Sequence, residues 1–318
     1  MRVNEDMVGA ESGKREGSDM SVVLVCWNNK DYLGPCLESL YRSRLGISFD
    51  VVVVDNGSTD GSLEMLRERF PEVGLIQNDR NVGLAKASNQ GIRSTRARYV
   101  LLLNNDTVVN GPSLEALVRF LDETPEAAAA GGRLVNPDGS LQASYSDFSS
   151  LGQEFLIATR LGELLQPGYP AHKDDQQIRS VDWLSSACLL LRRKALEQVG
   201  TLDEEYFIYG DEADLQFRLK RAGWKVYFLP GVSTIHYGGR SMDRWRRRRM
   251  VYRGKLLFFK KNYGRSATAA LQLLLTALTF AKLAIWSFAF LLPTYKERAQ
   301  KEVRSNIEVI QMCWSPSA

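Results

Sequence analysis

Four short apolar runs, separated by amphipathic stretches, constrain the fold of this chain more than any other feature of its sequence. The runs are continuous and rich in valine and leucine, as parallel strands buried on both faces are, and they cover residues 21–27, 49–55, 73–77 and 99–103. The stretches between them have helical spacing and cover residues 32–42, 62–69 and 84–94. This alternation requires right-handed crossovers. It predicts an α/β fold with a doubly wound, mostly parallel sheet and helices on both faces.

The pattern continues less regularly in the second part of the chain. We expect, in order, a helix with proline in its first turn, an apolar strand, an amphipathic helix and a last strand, over residues 112–123, 187–191, 211–221 and 225–229. The chain has 318 residues, of which 44% are hydrophobic and 25% charged, and this is the composition of a globular protein. The first 19 residues are polar and contain no apolar run. We therefore expect a flexible tail rather than a signal peptide, and a cytoplasmic globular part.

The last quarter of the chain joins a basic block to an apolar segment. Residues 240–265 carry eleven Lys or Arg and one Asp, a local charge of +10 in a chain of net charge +4, which leaves −6 for the rest. Residues 268–292 are apolar and long enough to cross a bilayer, although Lys282 near the middle opposes insertion by about 2.5–3.5 kcal/mol. The alternatives are helices that lie in the membrane interface, with Lys282 reaching the headgroups, or a buried C-terminal helical hairpin. In either membrane arrangement the basic block suits cytoplasmic anionic lipid.

Polar side chains follow the predicted strands, where open α/β sheets bind their ligands. Asp55 ends the second strand and can accept hydrogen bonds from a nucleoside, or simply begin a turn; Asn28, after the first strand, could line the same pocket. Asp106 follows the fourth strand, and it can form an Asx turn or supply an oxygen ligand to Mg²⁺ or Mn²⁺ shared with phosphates. A loop through Asn81 and Gly83 opens a helix whose amides could face a ligand, or it packs closely through small residues.

The order of these segments resembles glycosyltransferase family 2, whose nucleotide-sugar domain has the GT-A fold. The resemblance covers roughly residues 21–239 and is greatest to the rhamnosyltransferase-like branch, which builds bacterial surface polysaccharides. It implies a GT-A domain over residues 20–239, divided at about residue 110 into a nucleotide-sugar half and an acceptor half. A basic and hydrophobic membrane-associating helical region would follow over residues 240–318.

The resemblance also implies substrates and individual roles. The donor would be a nucleoside-diphosphate sugar, with rhamnose favoured, and the acceptor a lipid-linked saccharide or polysaccharide at the cytoplasmic face of the plasma membrane, with the enzyme peripheral or single-span. The family's DxD-type motif falls on Asn104-Asn105-Asp106, in which only the last residue is acidic. This places a divalent cation, Mg²⁺ or Mn²⁺, on Asp106 with His236 as a second ligand. The implied nucleotide-binding residues are Asn28, Asp55, Asn81, Gly83, Asn89 and Asn105.

Three acidic residues, Asp211, Glu212 and Asp214, lie at the start of the predicted helix 211–221. An acidic residue at the start of a helix is stabilised by the helix dipole by about 0.3–1 kcal/mol. This effect explains one acidic residue at that position, but it does not explain why there are three. The resemblance assigns the general base to Glu212. The order Asp-Glu departs from the family's Glu-Asp, and this leaves Asp211 as the alternative base. Asp214 is expected to orient the helix or to pair with Arg218.

Two other functions are open to these residues. A sugar-phosphate nucleotidyltransferase shares the layout and a metal-binding aspartate, but its triphosphate loop would fall at residues 26–34, which contain a single lysine. A non-catalytic polysaccharide- or lipid-binding module would explain the basic block but not Asp55, Asp106 and the acidic cluster. Nucleic acid is not an expected partner, because the arginine run stands beside a hydrophobic helix and has few aromatic neighbours.

Overall fold

A computed structural model describes residues 17–43, 46–165, 176–238 and 243–315. The predicted flexible tail therefore lies outside the described residues as far as residue 16. Its last residue is attached to the fold, because Asp19 accepts hydrogen bonds from the backbone and the hydroxyl of Ser48, both at 2.9 Å, and pairs with Arg98 at 2.8 Å.

A mixed sheet forms the centre of the described molecule. In chain order the strands are β1 (Met20–Cys26), β2 (Phe49–Asp55), β3 (Gly74–Gln77), β4 (Tyr99–Leu103), β5 (Thr107–Val108), β6 (Ala127–Val135), β7 (Tyr145–Ser146), β8 (Arg179–Val181), β9 (Trp183–Leu184), β10 (Cys188–Arg192) and β11 (Lys225–His236). Their spatial order is β3-β2-β1-β4-β10-β6-β11-β5, with β8 also against β11, while β7 and β9 form a separate pair. The run β3-β2-β1-β4 is parallel, as predicted, and β10 is antiparallel to both β4 and β6.

Helices cover both faces of the sheet and form the C-terminal region. In chain order they are α1 (Lys30–Arg42), α2 (Ser62–Arg69), α3 (Leu84–Ser94), α4 (Gly111–Glu123), α5 (Leu151–Thr159), α6 (Gly162–Leu165), α7 (Arg193–Val199), α8 (Asp211–Arg221), α9 (Arg244–Asn262), α10 (Gly264–Ala289) and α11 (Lys296–Cys313). The predicted bounds of β2, β4, α2, α3 and α8 are confirmed. The last strand, β11, continues from its predicted end at residue 229 to His236.

Each face of the sheet has its own hydrophobic core, so neither layer of helices is dispensable. Leu37 of α1 and Leu117 of α4 belong to the core on one face. Ile92 of α3, Leu196 of α7 and Leu215 of α8 belong to the core on the other face. Burial of each such side chain contributes about 1.5–3 kcal/mol.

The strand register brings the polar loops to one edge of the sheet. β1 pairs with β2 so that Cys26 lies opposite Asp55, and with β4 so that Val23 lies opposite Leu102. Three parallel strands therefore end together. The loops that follow them meet at that edge, as expected for the ligand-binding side of a doubly wound sheet.

The C-terminal helices pack on one another and on the sheet domain. Leu256 of α9, Leu271 of α10 and Val309 of α11 share a third core with the partly buried Phe217 of α8. α10 and α11 are antiparallel, because Gln272 near the start of α10 donates a 2.7 Å hydrogen bond to the Cys313 carbonyl at the end of α11.

α10 is long and apolar enough to cross a membrane, judged by length and composition alone. It has 26 residues, and the most apolar window, of mean hydropathy 1.6, is only 22% buried. Leu271 and Leu275 in its first half are buried, whereas Ile285 and Phe288 near its end are 66% and 77% exposed. The buried-hairpin alternative therefore describes the first half of α10 and not the second.

Candidate active site

A cleft of about 370 Å³ opens at the edge where the parallel strands end. The loops after β1, β2 and β4 form one wall, and the segment before β10, the turn before α8 and the start of α9 complete it. The cleft is lined by Val25, Trp27, Asn29, Asn56, Asn81, Leu84, Asn104, Asn105, Asp106, Ala143, Trp183, Ser185, Ser186, Phe207, Ile208, Tyr209, Glu212, His236, Arg246 and Arg247. Half of the predicted site residues are in this set: Asn81, Asn105, Asp106, Glu212 and His236.

Asp106 and His236 face each other because of how β11 pairs with β5. His236 lies opposite Thr107 in that antiparallel pair, next to Asp106, and the backbone N–H of Tyr237 donates to the Asp106 carbonyl at 2.9 Å. His236 Nε2 is consequently 3.3 Å from Asp106 Oδ1, and both side chains are largely buried.

Gln142 fixes the tautomer of His236. The Gln142 amide nitrogen donates to the Asn136 side-chain oxygen at 2.7 Å and to the His236 carbonyl at 2.5 Å, so its oxygen is left to accept. That oxygen lies 2.8 Å from His236 Nδ1, which therefore carries the proton in the neutral ring. The Nε2 lone pair then faces both the Asn104 side-chain amide and Asp106 Oδ1, each at 3.3 Å. A cation held by Asp106 and His236 would relieve the repulsion between the lone pair and the carboxylate oxygen.

This pair of donors fits Mg²⁺ or Mn²⁺. Mg²⁺ in nucleotide sites is held by one or two protein carboxylates and otherwise by phosphate and water, and imidazole suits the transition metals. In the part of the chain that the structure describes there is no group of three or more His, Cys, Asp or Glu able to hold a metal. Asp106 and His236 would therefore supply a sparse ligand set and leave the other positions to a phosphate-bearing substrate.

Amide side chains hold the loops beside this pair. Asn56 Nδ2 donates to Asn81 Oδ1 at 3.0 Å and to the Gly83 carbonyl at 3.3 Å. Gly83 has a φ of +95°, and a β-carbon there would lie 3.0 Å from atoms of Phe207. Gly83 thus allows two loops to approach closely but does not line the cleft, whereas Asn81 does.

Asn105 and Asp55 occupy different environments. Asn105 donates to the Val25 carbonyl at 2.8 Å and accepts from the Asn29 amide at 2.5 Å, so its side chain is fixed at the cleft wall. Asp55 is fully buried behind the cleft. One of its oxygens accepts from the Ser58 backbone N–H at 3.1 Å, and the other has no hydrogen-bond partner among the described residues.

Asn28 and Asn89 also lie away from the cleft lining. Asn28, in the left-handed region at φ +51°, accepts a 2.7 Å hydrogen bond from the Thr59 backbone. Asn89 is buried and exchanges hydrogen bonds of 2.7 and 3.1 Å with the backbone of Leu202. These contacts hold loops together, and a nucleotide-binding role for either residue stays a prediction.

The two candidate bases have opposite surroundings. Glu212 lines the cleft, whereas Asp211 is 1% exposed and lines a small adjoining pocket that shares Asn104 and Ser186 with the cleft. Burial, followed by the neighbouring charge of Glu212 and a hydrogen bond with it, raises the pKa of Asp211 well above its ordinary value. Of the two, Glu212 is the one that lines the cleft.

Asp214 supports the helix that carries these acids. It pairs with Arg218 at 2.9 Å, as expected, and it also accepts a 2.9 Å hydrogen bond from Asn262 of α9. The acidic cluster therefore divides into a cleft residue, a buried neighbour and a structural ion pair.

Sequence analysis did not identify Arg246 and Arg247 as cleft residues. They belong to the arginine run that we assigned to an anionic surface, yet both line the cleft. Because an α-helix has 3.6 residues per turn, Arg246 and Arg247 lie on a different side of α9 from Arg244 and Arg248. Arg244 and Arg248 pair with Glu302 at 2.9 and 3.0 Å. That period was visible in the sequence, but the position of α9 against the cleft was not.

A mostly parallel sheet flanked by helices, with a cleft at the carboxyl edge of its strands, is the GT-A type of glycosyltransferase fold. Residues 21–200 match the sequence model described as "Glycosyl transferase family 2". The chain belongs to glycosyltransferase family 2 and is a glycosyltransferase. This confirms the expected family and favours glycosyl transfer over the nucleotidyltransferase and binding-module alternatives.

Known proteins agree with this assignment. N-acetylglucosaminyl-diphospho-decaprenol L-rhamnosyltransferase of Mycobacterium tuberculosis is 32% identical over 235 residues, which is 66% of this chain and 75% of that protein. O-antigen biosynthesis protein RfbC of Myxococcus xanthus is 28% identical over 227 residues, 70% of this chain but 17% of that much longer protein. The mannosyltransferase PcManGT of Pyrobaculum calidifontis, solved with GDP-Man and Mn²⁺, shares the fold over 95% of this chain and 88% of its own, with a TM-score of 0.56 and 16% identity.

Proposed function

We propose that this glycosyltransferase moves a sugar from a nucleoside-diphosphate sugar to a hydroxyl group of a lipid-linked saccharide, with Mg²⁺ or Mn²⁺ and with inversion at the anomeric carbon. The observation that carries the proposal is that Glu212 lines the same cleft as the facing pair Asp106 and His236. A base for the acceptor and ligands for a phosphate-binding cation are thereby available in one cavity.

Asp106 and His236 are the residues that would hold the cation. When bound, a divalent cation supplies Lewis-acid stabilisation of the negative charge that develops on a departing diphosphate. Gln142 keeps the His236 ring in the tautomer whose Nε2 can act as a ligand. Asn105, fixed by Val25 and Asn29, lines the same cleft as the pair.

Glu212 is the proposed general base. Its carboxylate takes the proton of the acceptor hydroxyl while the hydroxyl oxygen forms a bond to the anomeric carbon. The bond between that carbon and the diphosphate oxygen breaks, and its electron pair leaves with the nucleoside diphosphate. One displacement from the face opposite the leaving group inverts the configuration, and a positioned base contributes about 10²–10⁴ in rate.

Asp211 acts through Glu212 in this mechanism. Its raised pKa favours the neutral carboxylic acid, which can donate a hydrogen bond to the Glu212 carboxylate. We therefore assign Asp211 a positioning role and Glu212 the catalytic one.

The substrate class is inferred from the relatives. The mycobacterial relative is named for an acceptor in which N-acetylglucosamine is joined through diphosphate to decaprenol, and for the transfer of L-rhamnose. We infer a diphosphate-linked lipid saccharide as acceptor and a dTDP-linked deoxyhexose such as rhamnose as donor. Such an acceptor would be met at the cytoplasmic face of the plasma membrane.

The exposed end of α10 is the proposed membrane contact. Ile285, Phe288 and Leu291 are 66%, 77% and 72% exposed, and Arg298 lies over the ring of Trp286 at 5.3 Å. Apolar side chains bordered by cations and an aromatic ring are typical of segments that rest in the headgroup region.

The test uses the purified full chain with Mn²⁺, a panel of dTDP-, UDP- and GDP-sugars and a prenyl-diphosphate N-acetylglucosamine acceptor. Release of nucleoside diphosphate and the mass of the glycosylated acceptor are measured. Glu212→Gln should lower transfer by at least about 10²-fold while donor binding is retained. Glu64→Gln, on the exposed side of α2, should behave as wild type. Transfer by Glu212→Gln at more than about a tenth of the wild-type rate would refute the assignment.

A further inference from the structure

The middle of α9 packs directly against the turn that precedes Glu212. Gly254 of α9 is so close to the Tyr209 carbonyl that a β-carbon at Gly254 would overlap it. Farther along α9, Asn262 donates to the buried Asp214 of α8. α9 is therefore a fixed wall of the cleft and not a loose basic extension.

The arginines of α9 fall into two groups with different partners. Arg244 and Arg248 share Glu302, whose side chain is 3% exposed, and Arg249 lies 2.5 Å from Glu308. These three arginines join α9 to α11, and the carboxylates of Glu302 and Glu308 offset part of their charge. The charge left to attract an external anion is correspondingly smaller than the sequence suggests.

Arg246 and Arg247 form the second group. Both line the cleft and are exposed, and neither forms an ion pair with a carboxylate in the described part of the chain. Arg247 lies 5.8 Å from the centre of the Tyr209 ring, and Tyr209 stands three residues before Glu212. Two guanidinium groups are thus held on the side of the cleft that carries the proposed base.

A bound divalent cation would leave the cleft with a net positive charge. Its ionisable lining consists of Asp106, Glu212, His236, Arg246 and Arg247. With a divalent cation beside Asp106, the positive charges exceed the negative ones. Guanidinium groups bind phosphate oxygens through two parallel hydrogen bonds, which makes arginine well suited to this ligand.

We propose that Arg246 and Arg247 form a phosphate-binding subsite of the cleft, separate from the Asp106–His236 pair. The inference rests on the proposed function, because it is that function which brings phosphate groups into the cleft. The phosphate can come from the diphosphate of the donor or from the diphosphate of a lipid-linked acceptor. The position beside Tyr209, on the Glu212 side, is compatible with either source.

The experiment compares the double variant Arg246→Gln/Arg247→Gln with the wild type and with Arg253→Gln. Arg253 is an exposed cation on the same helix that does not line the cleft, so it controls for a loss of charge on α9. Calorimetry measures the Kd of dTDP, UDP and GDP in the presence of Mn²⁺. Transfer assays measure the KM for a prenyl-diphosphate N-acetylglucosamine and for octyl N-acetylglucosaminide, which has no phosphate.

A donor-side subsite predicts that the Kd of the bound nucleoside diphosphate rises by about tenfold or more in the double variant, but not in Arg253→Gln. An acceptor-side subsite predicts an unchanged Kd and a similar rise in KM for the diphosphate-linked acceptor alone. Equal KM increases for both acceptors, or no change in either measurement, would overturn the subsite. Wild-type protein that binds none of the nucleotides would instead refute the proposed function.

Binding to vesicles containing phosphatidylglycerol separates a lipid-binding role from the cleft role. The subsite predicts that the double variant and Arg253→Gln bind such vesicles equally well. Vesicle binding that falls only in the double variant, with the Kd and KM values unchanged, would assign these arginines to the membrane and overturn the proposal.

Discussion

Gly254 of α9 lies directly against the carbonyl group of Tyr209, and the space between the two backbones has no room for a β-carbon. Tyr209 has a positive φ of +64° and is followed by Gly210, the residue before α8, at +98°. The turn that presents Glu212 is thus shaped by its own backbone conformation and covered by a neighbouring helix.

Gly254→Ala should weaken this contact. The added methyl group meets backbone atoms that cannot rotate away, so we expect a loss of about 1–3 kcal/mol in the free energy of unfolding, together with reduced transfer activity. Thermal unfolding and the transfer assay provide the measurement. Gly152→Ala is the matched control, because Gly152 lies in α5 with nothing within 4 Å of its β-carbon position. Equal stability of the two variants would contradict the close contact.

Asp106→Asn should weaken cation-dependent nucleotide binding. The amide keeps the shape of the side chain but loses the charge that faces His236 at 3.3 Å. We expect the Mn²⁺ concentration needed for half-maximal binding of nucleoside diphosphate to rise at least about tenfold, as measured by calorimetry at several Mn²⁺ concentrations. Glu68→Gln, on the exposed face of α2, should leave this concentration unchanged. A normal Mn²⁺ dependence in Asp106→Asn would remove Asp106 from the metal site.

Asp211→Asn should change how stability depends on pH. Burial raises the pKa of Asp211 in the folded state above its ordinary value of about 4. The neutral acid therefore stabilises the fold fully below about pH 4, and this contribution is lost as the pH rises through the raised pKa. Asparagine does not titrate. The stability of the variant minus that of the wild type should therefore increase with pH, by up to about 1.4 kcal/mol per unit.

Denaturant unfolding of both proteins from pH 4 to pH 8 measures this difference, and contributions from titrating groups that do not interact with Asp211 cancel in it. A difference that stays constant over the whole range would show that Asp211 is ionised in the folded protein. It would then have no neutral form with which to position Glu212.

Ile285→Ser combined with Phe288→Ser should reduce membrane binding without unfolding the protein. Both side chains are mostly exposed, so the fold loses little, whereas a bilayer loses two apolar contacts. We expect binding to phosphatidylglycerol vesicles, measured by sedimentation, to weaken by about tenfold or more. Ile178→Ser is the control, because Ile178 is 56% exposed beside β8 and outside the C-terminal helices. A similar loss in both proteins would indicate nonspecific adsorption.

The fold could be predicted where the pattern of apolar residues in the sequence matches the element that forms in the folded protein. Continuous apolar runs and amphipathic spacing depend only on residues that are close in sequence. For this reason the predicted bounds match those of β2, β4, α2, α3 and α8. The antiparallel insertion of β10 was not predicted. A buried strand has the same apolar pattern in either direction, and only its long-range pairing fixes the orientation.

The sequence predicted the cleft position of some site residues but not of others. Asp106 follows β4, His236 ends β11 and Glu212 begins α8, and all three line one cleft because these element ends meet at one edge of the sheet. Asn89 has the same local pattern as a ligand-binding residue, but its amide binds the Leu202 backbone. The arginine run could not be divided correctly from its sequence, because Glu302, which pairs with two of its members, lies more than fifty residues farther along the chain.

α9 contacts Tyr209 at the cleft and leads, through a single residue, into the apolar α10. If the exposed end of α10 is the membrane contact, as proposed above, the bilayer would stand at a set height and tilt relative to Glu212. A tethered acceptor can present its hydroxyl only if the glycan between lipid and hydroxyl spans that height. The fixed connection between α9 and α10 would then select acceptors by the number of sugars that they already carry.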